Sequence, residues 1–361
     1  MRCFATRLSL LIVLFALASP RAYCHPGHGA AESVAASQPP ADAVRDAITG
    51  SGDLRFRYRA DLSELPPEIA TGIKRAHGGF AKGPDGELYF GLEGTGVVRV
   101  SPDLREKRLF AESEDLRGGG LHNTTYLDRD GGLLALPDNV RGQVLFIDLD
   151  GDPIATIGRP PATIDALYGD PAKSYAPTDA DAVDESTLLV TDGYGPSKCV
   201  LAVDLERRAY IERAFGGPVG SGPREAGKFS TPHGVTWDGA EGVVLIADRE
   251  RQWVQKFTPA GNFVGSVDTA GANPCDYDVV EWRGKPLGVV GCLRGPGNTA
   301  GVVQMIRDGE VVSSLRPKAD LGLEEFEHIH NAIGVVVDGQ LFVLCYGWNP
   351  GCYAVLQHVA E

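Results

Sequence analysis

Three histidines stand at matching positions of a repeated sequence pattern, and together they could bind a metal ion. His122, His233 and His330 each open a copy of a motif in which a loop leads into a short apolar strand, a Gly- or Asp-rich turn and a second apolar strand. Three imidazoles that leave one coordination position open are the ligand set of a catalytic zinc site. Such an ion acts as a Lewis acid or activates an oxygen ligand. The alternative interpretation is that each histidine only caps a turn or forms a hydrogen bond within the fold.

The motif occurs six times, and its spacing predicts the fold that has to bring the histidines together. Neighbouring copies begin 42 to 56 residues apart, and the six starting residues are His77, His122, Thr178, His233, Cys275 and His330. Repeats of this length that hold three or four strands are typical of a β-propeller. We therefore predict an all-β, six-bladed β-propeller. Alternate blades of such a ring stand about 120° apart, so the histidines of copies two, four and six can converge on one ion in the central channel.

The last copy is short of one strand, and an N-terminal segment can supply it. Only three strands fit between His330 and Glu361. Residues 53–62 (DLRFRYRADL) alternate in polarity and have no strand partner of their own. We expect this segment to form the outer strand of the last blade, because closing the ring removes the exposed edges of an open sheet.

The composition limits the class of partner. The 361 residues carry 34 Lys and Arg against 48 Asp and Glu, a net charge of −14. Nucleic acids and anionic membranes bind basic surfaces, so the sequence argues against both as partners. The 46 Gly and 24 Pro residues are consistent with many tight turns between short strands. We expect a small-molecule or peptide substrate in the channel, and a protein partner remains open.

The N-terminus has the pattern of a secretory signal. Arg2 and Arg7 precede an apolar run of 11 residues at positions 8–18. This run is too short to span a membrane, and small residues near its end offer cleavage after Ala18 or Ala22. A lipid-modified Cys24 is an alternative. We assign residues 1–22 to the signal, 23–50 to a flexible leader and 51–361 to the propeller, which places the protein outside the cytoplasm, secreted or periplasmic.

An oxidising compartment would let cysteines pair. Cys345 and Cys352 flank a turn rich in Gly and Pro, and Cys275 and Cys292 bracket an apparent hairpin. We predict these two disulfide bonds and expect Cys199 to be a buried free thiol.

The fourth copy and its neighbours carry a resemblance to known proteins. Residues 232–267 look like an NHL repeat. The segments FSTPHGV, ADRERQ, PTDADAVD and VTDGYGPSK resemble the peptidyl-α-hydroxyglycine α-amidating lyase family, whose members are six-bladed NHL-type propellers with a zinc site. The resemblance covers about residues 115–345 and is good in the third and fourth copies.

The resemblance implies roles for individual residues. His122, His233 and His330 match the zinc ligands of the family. Tyr194 matches a tyrosine that serves as catalytic base, and Arg249 matches an arginine that contacts the substrate. A divalent cation lowers the pKa of a nearby phenol, and an arginine can bind a carboxylate through two hydrogen bonds. The family also implies a structural calcium ion.

The sequence departs from the family at three places near the site. The family has a second arginine at the end of a first-blade strand, where residues 90–93 here read Phe-Gly-Leu-Glu. His328 stands where a methionine is expected, and Gly195 stands where a cysteine is expected. Within the 361 residues we expect no copper monooxygenase domain beside the propeller.

Two functions from different classes fit these observations. The first is a zinc lyase that cleaves the N–C bond of an α-hydroxyglycine-type carbinolamide to an amide and glyoxylate. The alternative is a non-catalytic NHL propeller that binds a protein or a glycan. A lactonase-type hydrolase is a third option, but the acidic calcium ligands of such enzymes are absent from the repeat starts.

Overall fold

A computed structural model describes residues 47–348 and 350–360. The expected signal, almost all of the expected leader and Cys24 lie outside the described residues. Among the helices of the described part, none has the length and apolar character needed to cross a membrane. The described residues are nearly all β-structure.

Within the described residues, two strands, two short α-helices and a 3-10 turn (Ile73–Arg75) precede the first blade. The strands and α-helices are β1 (Ile48–Ser51), β2 (Leu54–Tyr58), α1 (Ala60–Ser63) and α2 (Pro67–Gly72). Strand β1 begins inside the stretch assigned to the leader.

Six antiparallel sheets follow one another around the ring, as the six repeats predict. The first blade contains β3 (Phe80–Lys82), β4 (Leu88–Leu92), β5 (Gly96–Val100) and β6 (Lys107–Ala111), and α3 (Glu114–Arg117) leads to the second. The second contains β7 (Thr125–Leu127), β8 (Leu133–Asp138), β9 (Gln143–Asp148) and β10 (Pro153–Ile157). The third contains β11 (Asp179–Ala182), β12 (Thr187–Thr191), β13 (Cys199–Asp204) and β14 (Ala209–Gly216).

The remaining blades repeat the pattern. The fourth contains β15 (Pro232–Asp238), β16 (Val243–Asp248), β17 (Trp253–Phe257) and β18 (Phe263–Asp268). The fifth contains β19 (Asp278–Trp282), β20 (Lys285–Cys292), β21 (Val302–Arg307) and β22 (Glu310–Leu315), followed by α4 (Pro317–Leu321). The sixth contains β23 (Asn331–Val337), β24 (Gln340–Gly347) and β25 (Cys352–His358).

The N-terminal segment closes the ring, as predicted. Strand β2 pairs antiparallel with β25, with Phe56 opposite His358. The Phe56 side chain is fully buried and belongs to the apolar cluster between the fifth and sixth blades. Strand β1 adds a fifth strand outside β2 that the sequence did not predict. The Thr49 hydroxyl of β1 donates to Asp320 in α4 at 2.8 Å, which ties the closing hairpin to the fifth blade.

Aspartates on the inner strands link successive blades. The Asp179 carboxylate accepts a hydrogen bond from the Val235 backbone N–H at 2.6 Å, and Asp181 accepts one from the Trp237 N–H at 2.7 Å. Asp278 does the same for the Gly334 N–H at 2.9 Å. These bonds satisfy backbone groups beyond the strand ladders and fix the inner strands of the third, fourth, fifth and sixth blades around the channel.

The structure contradicts both predicted disulfide bonds. All five described cysteines are free thiols, which agrees with the prediction only for Cys199. Pro274 is paired with Cys292, and the Cys275 N–H donates to Gly291, so Cys275 and Cys292 point to opposite faces of their sheet. Cys352 lies opposite Gly347 and not opposite Cys345. Cys345 and Cys352 are therefore diagonal neighbours on the two strands. A diagonal Cα separation of roughly 7 Å or more is too long for a disulfide bond.

Candidate metal centre

The three histidines of copies two, four and six meet in the channel. His122 precedes β7, His233 is the second residue of β15, and His330 directly precedes β23. All three side chains are fully buried. One nitrogen of each ring lies within 4.8 Å of the corresponding nitrogens of the other two. Their ring centres are 4.7, 4.9 and 5.1 Å apart. The structure thus brings together the side chains that the repeat positions singled out.

Two of the rings are oriented by the backbone of the next blade. His122 Nδ1 donates to the carbonyl oxygen of Thr178 at 2.5 Å, and His233 Nδ1 donates to that of Cys275 at 2.7 Å. A proton on Nδ1 leaves the Nε2 lone pair available, and this arrangement is usual for a metal-binding histidine. Thr178 and Cys275 are themselves the starting residues of copies three and five. The order of the blades in the propeller therefore sets the tautomers of His122 and His233.

His330 completes the group without any such bond. Within the described part of the chain, neither of its ring nitrogens has a hydrogen-bond partner. Burial lowers the pKa of His330 well below its usual value, and the nearby His233, His77 and His122 lower it further. The ring is therefore neutral at pH 7, which is the form that binds metal. Leaving a buried polar group unpaired costs about 1–3 kcal/mol, and an ion at the centre would supply the missing partner. Three buried imidazoles that converge from alternate blades fit a zinc ion.

Tyr194 and Arg249 lie at the same end of the channel. The Tyr194 hydroxyl is 3.0 Å from His233 Nε2 and 3.4 Å from His122 Nε2. Arg249 opens a 3-10 turn after β16, and its Nη1 donates to the Tyr194 oxygen at 3.1 Å. Its Nε also donates to Glu250 at 2.9 Å. Arg249 thus contacts both the predicted catalytic tyrosine and a neighbouring carboxylate.

Burial has the largest effect on the pKa of Tyr194. It raises the pKa of Tyr194 to about 12, and the positive charge of Arg249 opposes the rise. The sequence led us to expect a lowered pKa, because that expectation included a bound cation.

A buried network holds the Tyr194 loop in place. The Asp192 carboxylate is fully buried and accepts hydrogen bonds from the Ala176 N–H and the Tyr168 hydroxyl, each at 3.0 Å. Lys198 donates to the Gly193 carbonyl at 2.7 Å. A Cβ atom at Gly195 would lie 1.9 Å from Asp192 Oδ1, so no cysteine fits there while Asp192 keeps this position. The sequence segment VTDGYGPSK contained Asp192, but its role was missed because its partners are far away along the chain.

His77 and Glu93 form a second polar pair beside the histidine group. The His77 ring is stacked on His122 at 5.9 Å and meets His330 edge-on at 4.9 Å. His77 Nδ1 donates to Glu93 Oε2 at 2.8 Å. Trp348 lies 5.0 Å from His77 and 6.1 Å from His328, as measured between ring centres. His77, the starting residue of copy one, thus lies beside the candidate ligands. The sequence marked residue 93 only as the place of the family's second arginine, and it gave no sign that Glu93 and Trp348 meet His77.

Further along the channel, the innermost strands of the blades carry acidic side chains. Asp179, Asp181, Asp276 and Asp278 line a cavity of about 170 Å³ together with Lys82. Lys82 forms an ion pair with Asp278 at 2.9 Å. Burial raises the pKa of Asp181 to about 7 and that of Asp276 to about 6. The structural calcium ion implied by the resemblance stays a prediction.

Comparison with known proteins supports the repeat and the fold. Residues 229–257 match the family model of the NHL repeat. No curated protein is significantly similar to the sequence. A gluconolactonase from Xanthomonas campestris is 13% identical, with a TM-score of 0.54 over 86% of this chain and 95% of that one. A catalytically inactive variant of virginiamycin B lyase from Staphylococcus aureus, with quinupristin, is 12% identical, with a TM-score of 0.52 over 85% and 88%.

A streptogramin B lyase is also similar, at 9% identity and a TM-score of 0.50, over 87% of this chain and 98% of that one. Likenesses at these identities show the six-bladed propeller and nothing finer. The structures named here include no amidating lyase, so that more specific resemblance is not supported by them.

Proposed function

We propose that this protein is a zinc-dependent lyase, acting outside the cytoplasm, that cleaves the N–C bond of an α-hydroxyglycine-type carbinolamide to an amide and glyoxylate. One observation carries the proposal. The Tyr194 hydroxyl lies within 3.4 Å of the Nε2 atoms of two candidate ligands while a buried arginine donates to it. An acid–base group, a cation that stabilises its ionised form and a metal-ligand set therefore share one point of the channel.

The histidines would hold the ion and fix its position. His122, His233 and His330 come from alternate blades, and each lies in or just before the innermost strand of its blade. Zinc, when bound there, supplies Lewis acidity towards an oxygen of the substrate.

Tyr194 would accept the proton of the substrate hydroxyl. As the oxygen becomes a carbonyl, the C–N bond breaks, its electron pair goes to nitrogen, and the nitrogen takes up the proton. The products are then an unmodified amide and glyoxylate, with all atoms accounted for. The Arg249 guanidinium at 3.1 Å favours the ionised phenol and so assists the proton transfer.

Arg249 also has the chemistry to bind the substrate carboxylate, because a guanidinium carries five N–H donors. Its side chain is only 4% exposed, however, and two of its nitrogens already contact Tyr194 and Glu250. The contact with Tyr194 is therefore the better-supported role, and the carboxylate contact is the second part of the proposal.

Glyoxylate release and metal content test the proposal together. Purified protein is loaded with zinc, freed of excess metal, analysed for bound zinc and incubated with an α-hydroxyglycine peptide. We expect bound zinc and glyoxylate from the wild type, and neither from His233→Ala. His358→Gln is the matched control, because His358 lies in the closing blade and donates to the Asp53 carbonyl, away from the channel. Bound zinc without glyoxylate would contradict the lyase and favour the non-catalytic NHL propeller.

A further inference from the structure

Two polar pairs flank the histidine group on different sides. Tyr194 and Arg249 lie beside His122 and His233. The pair formed by His77 and Glu93 lies beside His122 and His330 instead. A molecule bound at the centre therefore faces a guanidinium on one side and a carboxylate on the other.

The carboxylate side is the more accessible one. The side chains of Glu93 and His77 are 29% and 13% exposed, whereas the three candidate ligands are fully buried and Arg249 is nearly so. Glu93 directly follows β4, and its Oε2 accepts the His77 proton at 2.8 Å. Among the described residues, Glu93 Oε1 accepts no hydrogen bond. His77 thus fixes one oxygen of the carboxylate and leaves the other able to accept a bond from a ligand.

An aromatic ring stands next to this pair. The Trp348 indole is partly buried in the turn after β24, and its ring centre is 5.0 Å from that of His77. The face of an indole attracts a cation through the quadrupole of the ring. A carboxylate and an indole that both contact His77 are the two features that bind an ammonium group, and both repel or ignore a carboxylate.

We propose that Glu93, positioned by the same His77 that packs against Trp348, binds an ammonium group of the substrate and so determines specificity. The substrate class would be an amine-bearing carbinolamide and not one with a second carboxylate. The identity of the reacting bond rests on the proposed function, but the preference for an ammonium group does not.

Binding of matched zinc chelators tests this preference without catalysis. Butyrohydroxamate, β-alanine hydroxamate and the monohydroxamate of succinate share one two-carbon chain and end in a methyl, an ammonium and a carboxylate group. Calorimetric titration of the zinc-loaded protein should give the tightest binding for the ammonium compound. For one partly exposed charge we expect about a tenfold preference over the methyl compound. The carboxylate compound should bind weakest.

Variants assign the preference to Glu93. Glu93→Gln keeps an oxygen that can accept from His77 but removes the charge, so the ammonium preference should fall to within about twofold. Affinity for the methyl compound and zinc content should not change. Glu112→Gln is the matched control, because Glu112 is a first-blade glutamate paired with Arg117. A second variant, Trp348→Leu, should weaken only the ammonium compound.

The failure of this inference is distinguishable from the failure of the proposed function. Equal affinities for the three compounds, an unchanged preference in Glu93→Gln, or no binding of any chelator by protein shown to hold zinc would overturn the ammonium site. An intact preference combined with no glyoxylate release would refute the lyase reaction and leave the ammonium site standing.

Discussion

Removing the Tyr194 hydroxyl tests the acid–base step of the proposed reaction. Tyr194→Phe deletes one oxygen that contacts Arg249 Nη1 at 3.1 Å and His233 Nε2 at 3.0 Å. The ring itself is retained, so its edge contacts with His122 and His233 should persist. A positioned general base contributes about 10²–10⁴ in rate, which corresponds to a barrier increase of roughly 3–5 kcal/mol.

The same substitution has separate effects on stability and on metal binding. Arg249 loses an acceptor for a buried charged donor, so unfolding free energy should fall by about 1–3 kcal/mol. Zinc content should not fall, because the phenol hydroxyl competes with a metal for the Nε2 atoms and does not assist it.

The assay is glyoxylate release from an α-hydroxyglycine peptide by protein of known zinc content, with urea unfolding in parallel. Tyr126→Phe is the matched control, since the Tyr126 hydroxyl contacts only Asp128 at 3.5 Å among the contacts of the described residues. A turnover within about threefold of the wild type, with zinc still bound, would refute the role of Tyr194 as base.

Three further predictions concern Arg249, an aspartate of the channel and the strand that closes the ring. Arg249→Gln should lower kcat by at least about tenfold, because it removes the charge beside Tyr194; a change confined to KM would mean that Arg249 only binds substrate. Asp181→Asn should alter the pH dependence of stability. The raised pKa of about 7 means that the folded state retains a proton which the unfolded chain loses near pH 4, so Asp181 makes stability fall as pH rises from 4 to 7. We therefore expect the difference in unfolding free energy, variant minus wild type, to be larger at pH 8 than at pH 5 in urea unfolding. The same difference at both pH values would contradict the raised pKa of Asp181. Phe56→Ala should cost about 3–5 kcal/mol in urea unfolding, because it empties a fully buried site in the closing strand. A cost below about 1 kcal/mol would mean that β2 does not stabilise the ring.

The repeat made the fold readable from the sequence. Six copies at regular spacing and a three-stranded last copy together predicted six blades and a closing strand, and both are present. Strand β1 escaped prediction because its four residues, Ile-Thr-Gly-Ser, show no alternation, and its place depends on contacts with β2 and α4.

The sequence predicted those residues of the candidate site that occupy equivalent positions in the repeats. Equivalent positions in alternate blades face the same axis, so His122, His233 and His330 could be placed in one group from their spacing alone. Glu93 and Trp348 stand in loops that differ between copies, and only the folded ring brings them beside His77. The disulfide predictions were wrong because closeness along the chain decides neither strand face nor register: Cys275 and Cys292 occupy opposite faces, and Cys345 and Cys352 are diagonal and not directly opposite.

The central claim is that His122, His233 and His330 bind one zinc ion, and the most direct test is zinc content. Elemental analysis after zinc loading and gel filtration at pH 7.5 should give about one zinc per chain for the wild type and His77→Ala, and almost none for His330→Ala. Lowering the pH below about 6 should release the metal, because protonated imidazole cannot bind it. Wild-type protein that holds no zinc at pH 7.5, or a His330→Ala variant that retains it in full, would contradict the account.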